Sequence, residues 1–481
     1  MTLLHDMRAS HSVPQHIHLI GIGGTGLSAI ARFLMERGYV VTGSDRALSP
    51  AAEELAAEGA RITAGHSPEN VLGADLVVRS SAVPDDNVEV QAAIAQNVPV
   101  LKRSQFLGKL MEGSFGIGVA GTHGKTTITA MIAWLLASLG EDPSYIIGST
   151  SKNLGKNAHA GRGKAFVIEA DEYDRMFLGL NPDVMIVSYL EHDHPDCFPT
   201  PEIYFQAFVD FANRLRPGGY LLAAQDSSEA HRLADFIPAG TRALTFGTDP
   251  AANYCAANIR PNTRGGFDYE AIFRPQSGES TRLARISLQV PGEHNVRNSL
   301  AALAVIHQSF NSSPERIRQA AAALGAFTGT GRRFDLRGEV NGIAIIDDYA
   351  HHPTELRASL AAARARYPNR RIWALWQPHT YSRTRSLMTQ FAGAFTDADR
   401  VVVTEVYAAR EKAQDFDNFS AAQVVQAMNH PGAAFVPSLE AAGELLLQQL
   451  QPGDVLIVLS AGDAITVGER LLPALKERMI R

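Results

Sequence analysis

The chain has 481 residues, 45% of them hydrophobic and 20% charged, with a formal net charge of −6 from 44 basic and 50 acidic side chains. That is the composition of a globular protein. Its charge excludes a broad field for gathering nucleic acid or anionic membrane, so any phosphate site must be local. Cys197 and Cys255 are the only cysteines, which excludes a disulfide framework. With no signal peptide and no bilayer-length apolar run, a cytoplasmic location without membrane insertion is expected.

At about 150 residues per domain the length suggests three domains. The first fifteen residues, rich in His and Ser, read as a disordered start. His16–Ile20 then reads as a strand and is followed by Gly21, Gly23, Gly24 and Gly26 in a G-x-G-x-x-G turn, a helical pattern to Arg37, and a second strand over 39–45. This βαβ unit offers a helix N-terminus to a pyrophosphate, with Ser44 and Asp45 about twenty residues beyond the first glycine. A UDP group or a dinucleotide satisfies it. Further strands are expected over 75–78 and 99–101, with Ser80, Ser81 and Arg103 at their carboxyl ends, where ligands bind in parallel sheets. We take 1–112 as the first domain.

Residues 113–327 form the second. Ile117–Ala120 reads as a strand, and Gly121, Thr122, His123, Gly124, Lys125, Thr126 and Thr127 as a turn leading into a helix near Thr126. Glycines let backbone N–H groups converge on phosphate, a lysine reaches the outer phosphates and a threonine hydroxyl can ligate Mg²⁺. The turn departs from the standard phosphate loop, having Val119 where the first glycine should stand. Ala165–Glu172 is a buried strand ending in acids, of which Glu169 is the preferred magnesium ligand, Asp171 and Glu172 reading as solvated. The apolar strand 183–190 runs into Glu191-His192-Asp193-His194-Pro195-Asp196, a second place for a hard cation. Its spacing does not suit zinc, and Cys197 reads as a bystander. Small antiparallel strands are expected over 260–290, before a helix opened by Gly292–Asn298. Asn295 and Asn298 either read an adenine edge or cap that helix.

Residues 328–481 alternate strands (343–346, 371–375, 400–404, 454–459) with helices (354–366, 385–395, 439–450 and a C-terminal one), the pattern of a parallel sheet covered on both faces. Asp347, Tyr349, His351 and His352 follow its first strand, and the run from Gln377 to Arg385 follows its second. Paired histidines beside aspartates can move protons, and Arg383 can clamp a carboxylate.

Taken together, Gly21–Gly26, Ala120–Thr127, Glu169–Glu172, Gly292–Asn295, Gly331–Phe334, Asp347–Thr354 and Gln377–His379 resemble the Mur ligase family over nearly the whole chain. The resemblance implies a three-domain α/β architecture: a Rossmann-like N-terminal domain for a UDP-sugar, a central P-loop ATPase domain, and a Rossmann-like C-terminal domain for the amino acid. It implies ATP and Mg²⁺ and, nearest among the members, ligation of L-alanine to UDP-N-acetylmuramate through an acyl phosphate in a monomer or homodimer. Carried over residue by residue, it gives Lys125, Glu169, His194, Arg332, Arg333, Asp347 and His351 reaction roles. Thr126, Glu169 and His194 would hold metal, and Asn295 would contact ATP. Tyr349, His351 and Arg383 would hold the amino acid. Ala350 stands where the family often has glycine, and Thr380 where arginine can occur. The chain has no lysine between Lys164 and Lys412, so the carbamylated lysine of some members has no counterpart in that segment. Residues 172–174 and 190–194 also resemble the members that reattach a murein tripeptide, an alternative acceptor, whereas 377–384 favours alanine. A NAD-dependent oxidoreductase and a non-catalytic ATP-binding regulator are the readings from other classes, and the first leaves Lys125 and the acids unexplained.

Overall fold

The computed structural model describes residues 15–310 and 312–478; the start expected to be disordered lies, but for Gln15, outside the described residues. Three sheets follow one another. The first has five parallel strands in the spatial order Arg61–Ala64, Val40–Asp45, His16–Ile20, Leu76–Arg79, Val100–Lys102. The order reverses between His16–Ile20 and Leu76–Arg79, so Gly21 and Ser80 sit side by side at the switch point where such sheets bind ligands.

The central sheet has ten strands. At its middle lies Phe115–Ala120, with Ala165–Glu169 and Val184–Val187 parallel on its two sides. The segments that leave these three strands therefore meet at one edge. The antiparallel strands expected near 260–290 are Tyr254–Pro261, Phe267–Phe273 and Thr281–Ser287. They are no separate appendage, because Tyr254–Pro261 pairs in parallel with Arg242–Gly247 and extends the main sheet. The helix after the phosphate loop, Lys125–Ser138, is apolar on nearly every side and buries Ile128, Met131, Ile132, Leu135 and Leu136 completely. A helix of that pattern has to lie inside a core. Each such side chain contributes about 1.5–3 kcal/mol by leaving water, which fixes the loop in front of it.

The third sheet has six strands, Asp335–Val340, Ile343–Asp348, Val455–Leu459, Ile372–Trp376, Arg400–Val403 and Ala433–Phe435, all parallel except the first. It carries one apolar layer on each face, built around Trp376 and Phe391 on one side and Trp373 and Leu446 on the other. Those layers are its own. The first sheet, by contrast, keeps a small layer around Ile20 and Val77 on one face, while the layer on its other face runs without a break into the core of the central sheet: Phe33 of helix Thr25–Glu36 stacks on Phe166 of Ala165–Glu169 at 5.4 Å.

One expected ligand contact is corrected here. Ser44 is fully buried, and its hydroxyl donates to Glu89 Oε2 at 2.5 Å, so its side chain faces the interior of the first sheet. Its carbonyl still serves the glycine turn by accepting from Gly21 and Ile22 N–H. Glu89 also receives Asn70 and lies 3.6 Å from His18 and 3.3 Å from His66. Burial raises its pKa, but the neighbouring His18 ring and the hydrogen bonds from Ser44 and Asn70 outweigh that and hold the carboxyl down to about 2. The resulting stability is present above the ordinary value of 4.5 and is lost as pH falls towards 2. Glu89→Gln is expected to cost about 1–3 kcal/mol in urea unfolding at neutral pH. The gap to wild type should narrow as the pH is lowered below 4.5.

Candidate active site between the three sheets

Gly121 and Gly124 of the phosphate loop both have positive φ, +118° and +79°. A Cβ on Gly121 would lie 2.5 Å from Ser188 Oγ and 2.8 Å from Tyr189 O, so only glycine lets the loop press against the neighbouring strand end. Thr122 N–H closes that contact on Tyr189 O at 2.7 Å. Lys125 folds back over the loop. Its ammonium donates to Gly121 O at 2.6 Å and Thr122 O at 3.2 Å and pairs with Glu172 at 2.9 Å. Glu172 is fully buried, and Tyr204 and His194 approach the same carboxylate at 3.4 and 3.5 Å. Burial raises its pKa, yet the Lys125 charge and His194 hold it below the usual carboxylate range. The reading of Glu172 as a solvated loop acid is therefore corrected: it is the counter-ion of the loop lysine.

Thr126 donates to Glu169 at 3.0 Å, and Gly148 N–H donates to the other oxygen at 2.8 Å. Here desolvation outweighs Lys125 and Arg333, and the carboxyl is raised. A half-buried carboxylate that lines the cavity, with a hydroxyl oxygen beside it, is an oxygen donor set that fits a hard divalent cation. His194, in a left-handed conformation at φ +54°, lies on the far side of Glu172 with its pKa raised by Asp193 and Glu172 against the effect of burial.

The third sheet closes this edge. Arg383 is buried, donating from Nε to Asp193 at 2.7 Å, with its other nitrogens 3.2 Å from His379 Nδ1 and 3.4 Å from His194 Nδ1. His351 Nδ1 lies 2.9 Å from the Tyr349 carbonyl. A carbonyl only accepts, so the ring carries its proton on Nδ1 and leaves Nε2 with a lone pair. Burial pushes the His351 pKa down to about 4 against the pull of Glu355, and that of His379 to about 3. Both rings are neutral near pH 7.

Arg332 and Arg333 are now distinguishable. Both line the cavity, but Arg332 is tied to Asp347 at 3.2 Å and Ser460 O at 2.8 Å, whereas Arg333 has only the longer Glu355 contact at 3.6 Å. Asp347 is buried behind Arg332 and does not line the cavity. It is a support for that arginine, which corrects its assignment to the reaction itself. Asn295 is corrected likewise. Its amide donates to Pro291 O at 2.7 Å and accepts from Asn298 at 2.9 Å, which ties its polar atoms to the start of helix His294–Ser309.

A cavity of about 590 Å³ joins these groups to the first sheet. Lys125, Thr126, Glu169 and His194 line its middle, Tyr349, His351 and Arg383 one end, and Gly26, Arg32 and Arg103 the other. Arg103 covers Gly26 so closely that any side chain there would collide with its guanidinium. Asp45 accepts from Gly23 N–H at 2.9 Å and from Arg46 N–H at 2.8 Å. It is spent on the turn rather than left for a ribose, which argues against the dinucleotide reading. Gly21, Gly23, Gly24 and Ser80 shape the same turn without lining the cavity, and Ser81 is exposed beside it in sequence and does not line the cavity either.

Family models match the chain in three consecutive pieces: the Mur ligase family catalytic domain over 16–115, the middle domain over 119–306, and the glutamate ligase domain over 332–462. The chain belongs to the Mur ligase family. It is 41% identical over 466 residues to the UDP-N-acetylmuramate–L-alanine ligase of Salinibacter ruber, covering 96% of this chain and 95% of that one. It is 41% identical to the same-named protein of Roseiflexus sp., over 96% of this chain and all of that one. Among solved structures it is similar to the UDP-N-acetylmuramate–alanine ligase of Thermotoga maritima, with TM-score 0.79, 28% identity, and 96% and 99% of the two chains covered. It is also similar to a murein peptide ligase of Psychrobacter arcticus, with TM-score 0.72, 26% identity, and 96% and 99% covered.

In this Mur ligase the roles of several site residues escaped the sequence reading. Glu172, Asp193 and Glu355 are paired with partners remote in the chain, and Asn298, read as an adenine reader or a cap, presses on Gly124, where a Cβ would lie 2.7 Å from its Oδ1. The one signal available was their place at strand ends or helix starts. Glu172→Gln should leave the fold intact and lower kcat on the order of 10- to 100-fold, the range for a group that orients a primary residue. Steady-state kinetics beside a thermal melt would check it.

Proposed function

We propose that this protein joins L-alanine to UDP-N-acetylmuramate at the expense of ATP. The observation that carries the reading is one cavity in which a phosphate loop, a helix N-terminus covered by an arginine, and a pocket of neutral histidines converge. Full-length relatives bearing that activity's name support it. We divide the work among 1–112 for the UDP-sugar, 113–327 for ATP and 328–481 for the amino acid, in a cytoplasmic enzyme.

The lactyl carboxylate attacks the γ-phosphorus of ATP; its C–O–P bond forms as the bond to ADP breaks. The amine of alanine then attacks the acyl carbon, and phosphate leaves as the amide forms. In the first step two anions approach each other, so fixed positive charge is worth most there. Lys125 on the loop and Arg333 opposite supply it, with the Glu172 carboxylate keeping the ammonium in position. Thr126, Glu169 and His194 would hold Mg²⁺, which would supply charge neutralisation at the phosphates. In the second step the amine must shed protons. His351 Nε2, unprotonated near pH 7, is placed at the amino-acid end to accept one, and Arg383 is the cation there for the alanine carboxylate. Because Arg383 already pairs with Asp193, alanine has to compete for or share the guanidinium, and that links its binding to the seating of the third sheet.

The Psychrobacter neighbour keeps a tripeptide acceptor in view as an outcome of the test. Purified protein is incubated with ATP, UDP-N-acetylmuramate and either alanine or a murein tripeptide, and the products are weighed. Amide product with alanine supports the reading; product with tripeptide alone would replace it. Lys125→Ala is expected to abolish product while UDP-sugar binding, followed by calorimetry, survives. Arg383→Ala should raise KM for alanine at least tenfold while KM for ATP changes little; an unchanged alanine KM would remove Arg383 from that role.

A further inference from the structure

His123, Glu191 and His352 form a cluster outside the proposed magnesium ligands. His123 is the histidine of the phosphate loop, Glu191 follows strand Val184–Val187, and His352 caps helix Pro353–Arg366 of the third sheet. Their nearest ligand atoms, two imidazole nitrogens and a carboxylate oxygen, lie within 4.8 Å of one another. His123 Nε2 is in hydrogen-bond contact with Glu191 Oε1, and His352 Nδ1 is 3.1 Å from the same oxygen. The second nitrogen of His123 is 3.1 Å from Glu355 Oε1, itself only 11% exposed. A carboxylate behind a ligating histidine fixes its tautomer and turns the other nitrogen's lone pair outward.

The His352 ring is enclosed against the Glu191 carboxylate. It is 2% exposed, and among the described residues its Nε2 has no hydrogen-bond partner. Nδ1 accepts from Thr354 N–H at 3.4 Å as the helix cap, yet it also faces the Glu191 carboxylate. A ring protonated on Nδ1 donates to Glu191 and gives up the long cap contact. A metal ion on Nδ1 would take the place of that proton and set a positive charge between the carboxylate and both rings.

We propose that His123, Glu191 and His352 form a binding site for a borderline transition-metal dication such as zinc, bridging the phosphate loop to the third sheet. Two imidazoles and one carboxylate are a donor set zinc accepts at about 2.0–2.2 Å per bond, with a fourth position left for water. Seating the ion requires the two rings to close from at most 4.8 Å to roughly 3.3 Å, the edge of a tetrahedron with such bonds. Glu191, 28% exposed, opens the path for entry. Since the ligands come from both sides of the interface, a bound ion would hold the third sheet down on the phosphate loop and slow turnover.

The probe is zinc alone, titrated into the full chain against a chromophoric chelator with magnesium in large excess. Wild type should bind one equivalent. Glu191→Gln and His352→Asn should each weaken it at least tenfold, asparagine being chosen because it still caps a helix. His194→Ala, which alters the magnesium end, should bind zinc as wild type does. Cobalt in place of zinc should show visible absorption in wild type that is lost in His352→Asn. A thermal melt confirms that each variant is folded. Equal zinc affinity in wild type, Glu191→Gln and His352→Asn would overturn the proposal, as would loss of binding in His194→Ala alone. Neither result bears on whether alanine is the acceptor.

Discussion

The buried pair of Lys125 and Glu172 is the interaction on which the site depends. An ammonium and a carboxylate enclosed together cost several kcal/mol each in lost hydration, and removing one partner leaves the other uncompensated. Such a pair persists only where the surrounding structure enforces it. Here the apolar helix behind the loop, the glycines that press it against Tyr189, and Tyr204 above Glu172 all do so. The cost is set against a fixed charge aimed where two anions have to meet. A lysine free in solvent would have to be reorganised at each turnover.

From that pair the rest of the geometry follows in order. Glu172 also meets His194, whose neighbour Asp193 holds Arg383 of the third sheet. Charge placed on the phosphate loop is thus linked through three contacts to the amino-acid end. One face of the first sheet shares the apolar core of the central one, whereas the third has its own and touches the others through polar contacts such as Arg383–Asp193 and Lys152–Asp335. Polar interfaces are the kind that open and close at modest cost. On the proposed division of labour, the sheets assigned to the UDP-sugar and to ATP share apolar packing, and the third, assigned to the amine, meets them through polar contacts.

Much of this was legible in the sequence, for reasons that can be named. The central strands are continuous apolar runs such as Val184–Val187, and the phosphate loop lies between a strand and a helix whose apolar side chains leave no other arrangement. The strands Arg61–Ala64 and Asp335–Val340 were not legible. Both are short sheet edges with several exposed positions, so their burial pattern carries no period. The expected helix over 385–395 is two short ones, Tyr381–Ser386 and Met388–Ala392, the first starting after Thr380 at φ +66°. Glycine, lysine and threonine of the loop could be read because their chemistry is local. Glu172 could not, since its protonation state is set by Lys125, 47 positions away. Asp347 and Asn295 were overvalued for the converse reason: both are polar residues in motif positions whose partners turn out to be Arg332 and a helix start.

The central claim is that the sugar-borne carboxylate is energised by phosphoryl transfer at Lys125 before the amine arrives. UDP-N-acetylmuramate carrying ¹⁸O in both lactyl carboxylate oxygens tests it directly, with the released phosphate analysed by mass spectrometry. The account predicts that one labelled oxygen passes to inorganic phosphate for each amide formed, the other staying in the product. Phosphate free of label in the presence of full amide yield would contradict it.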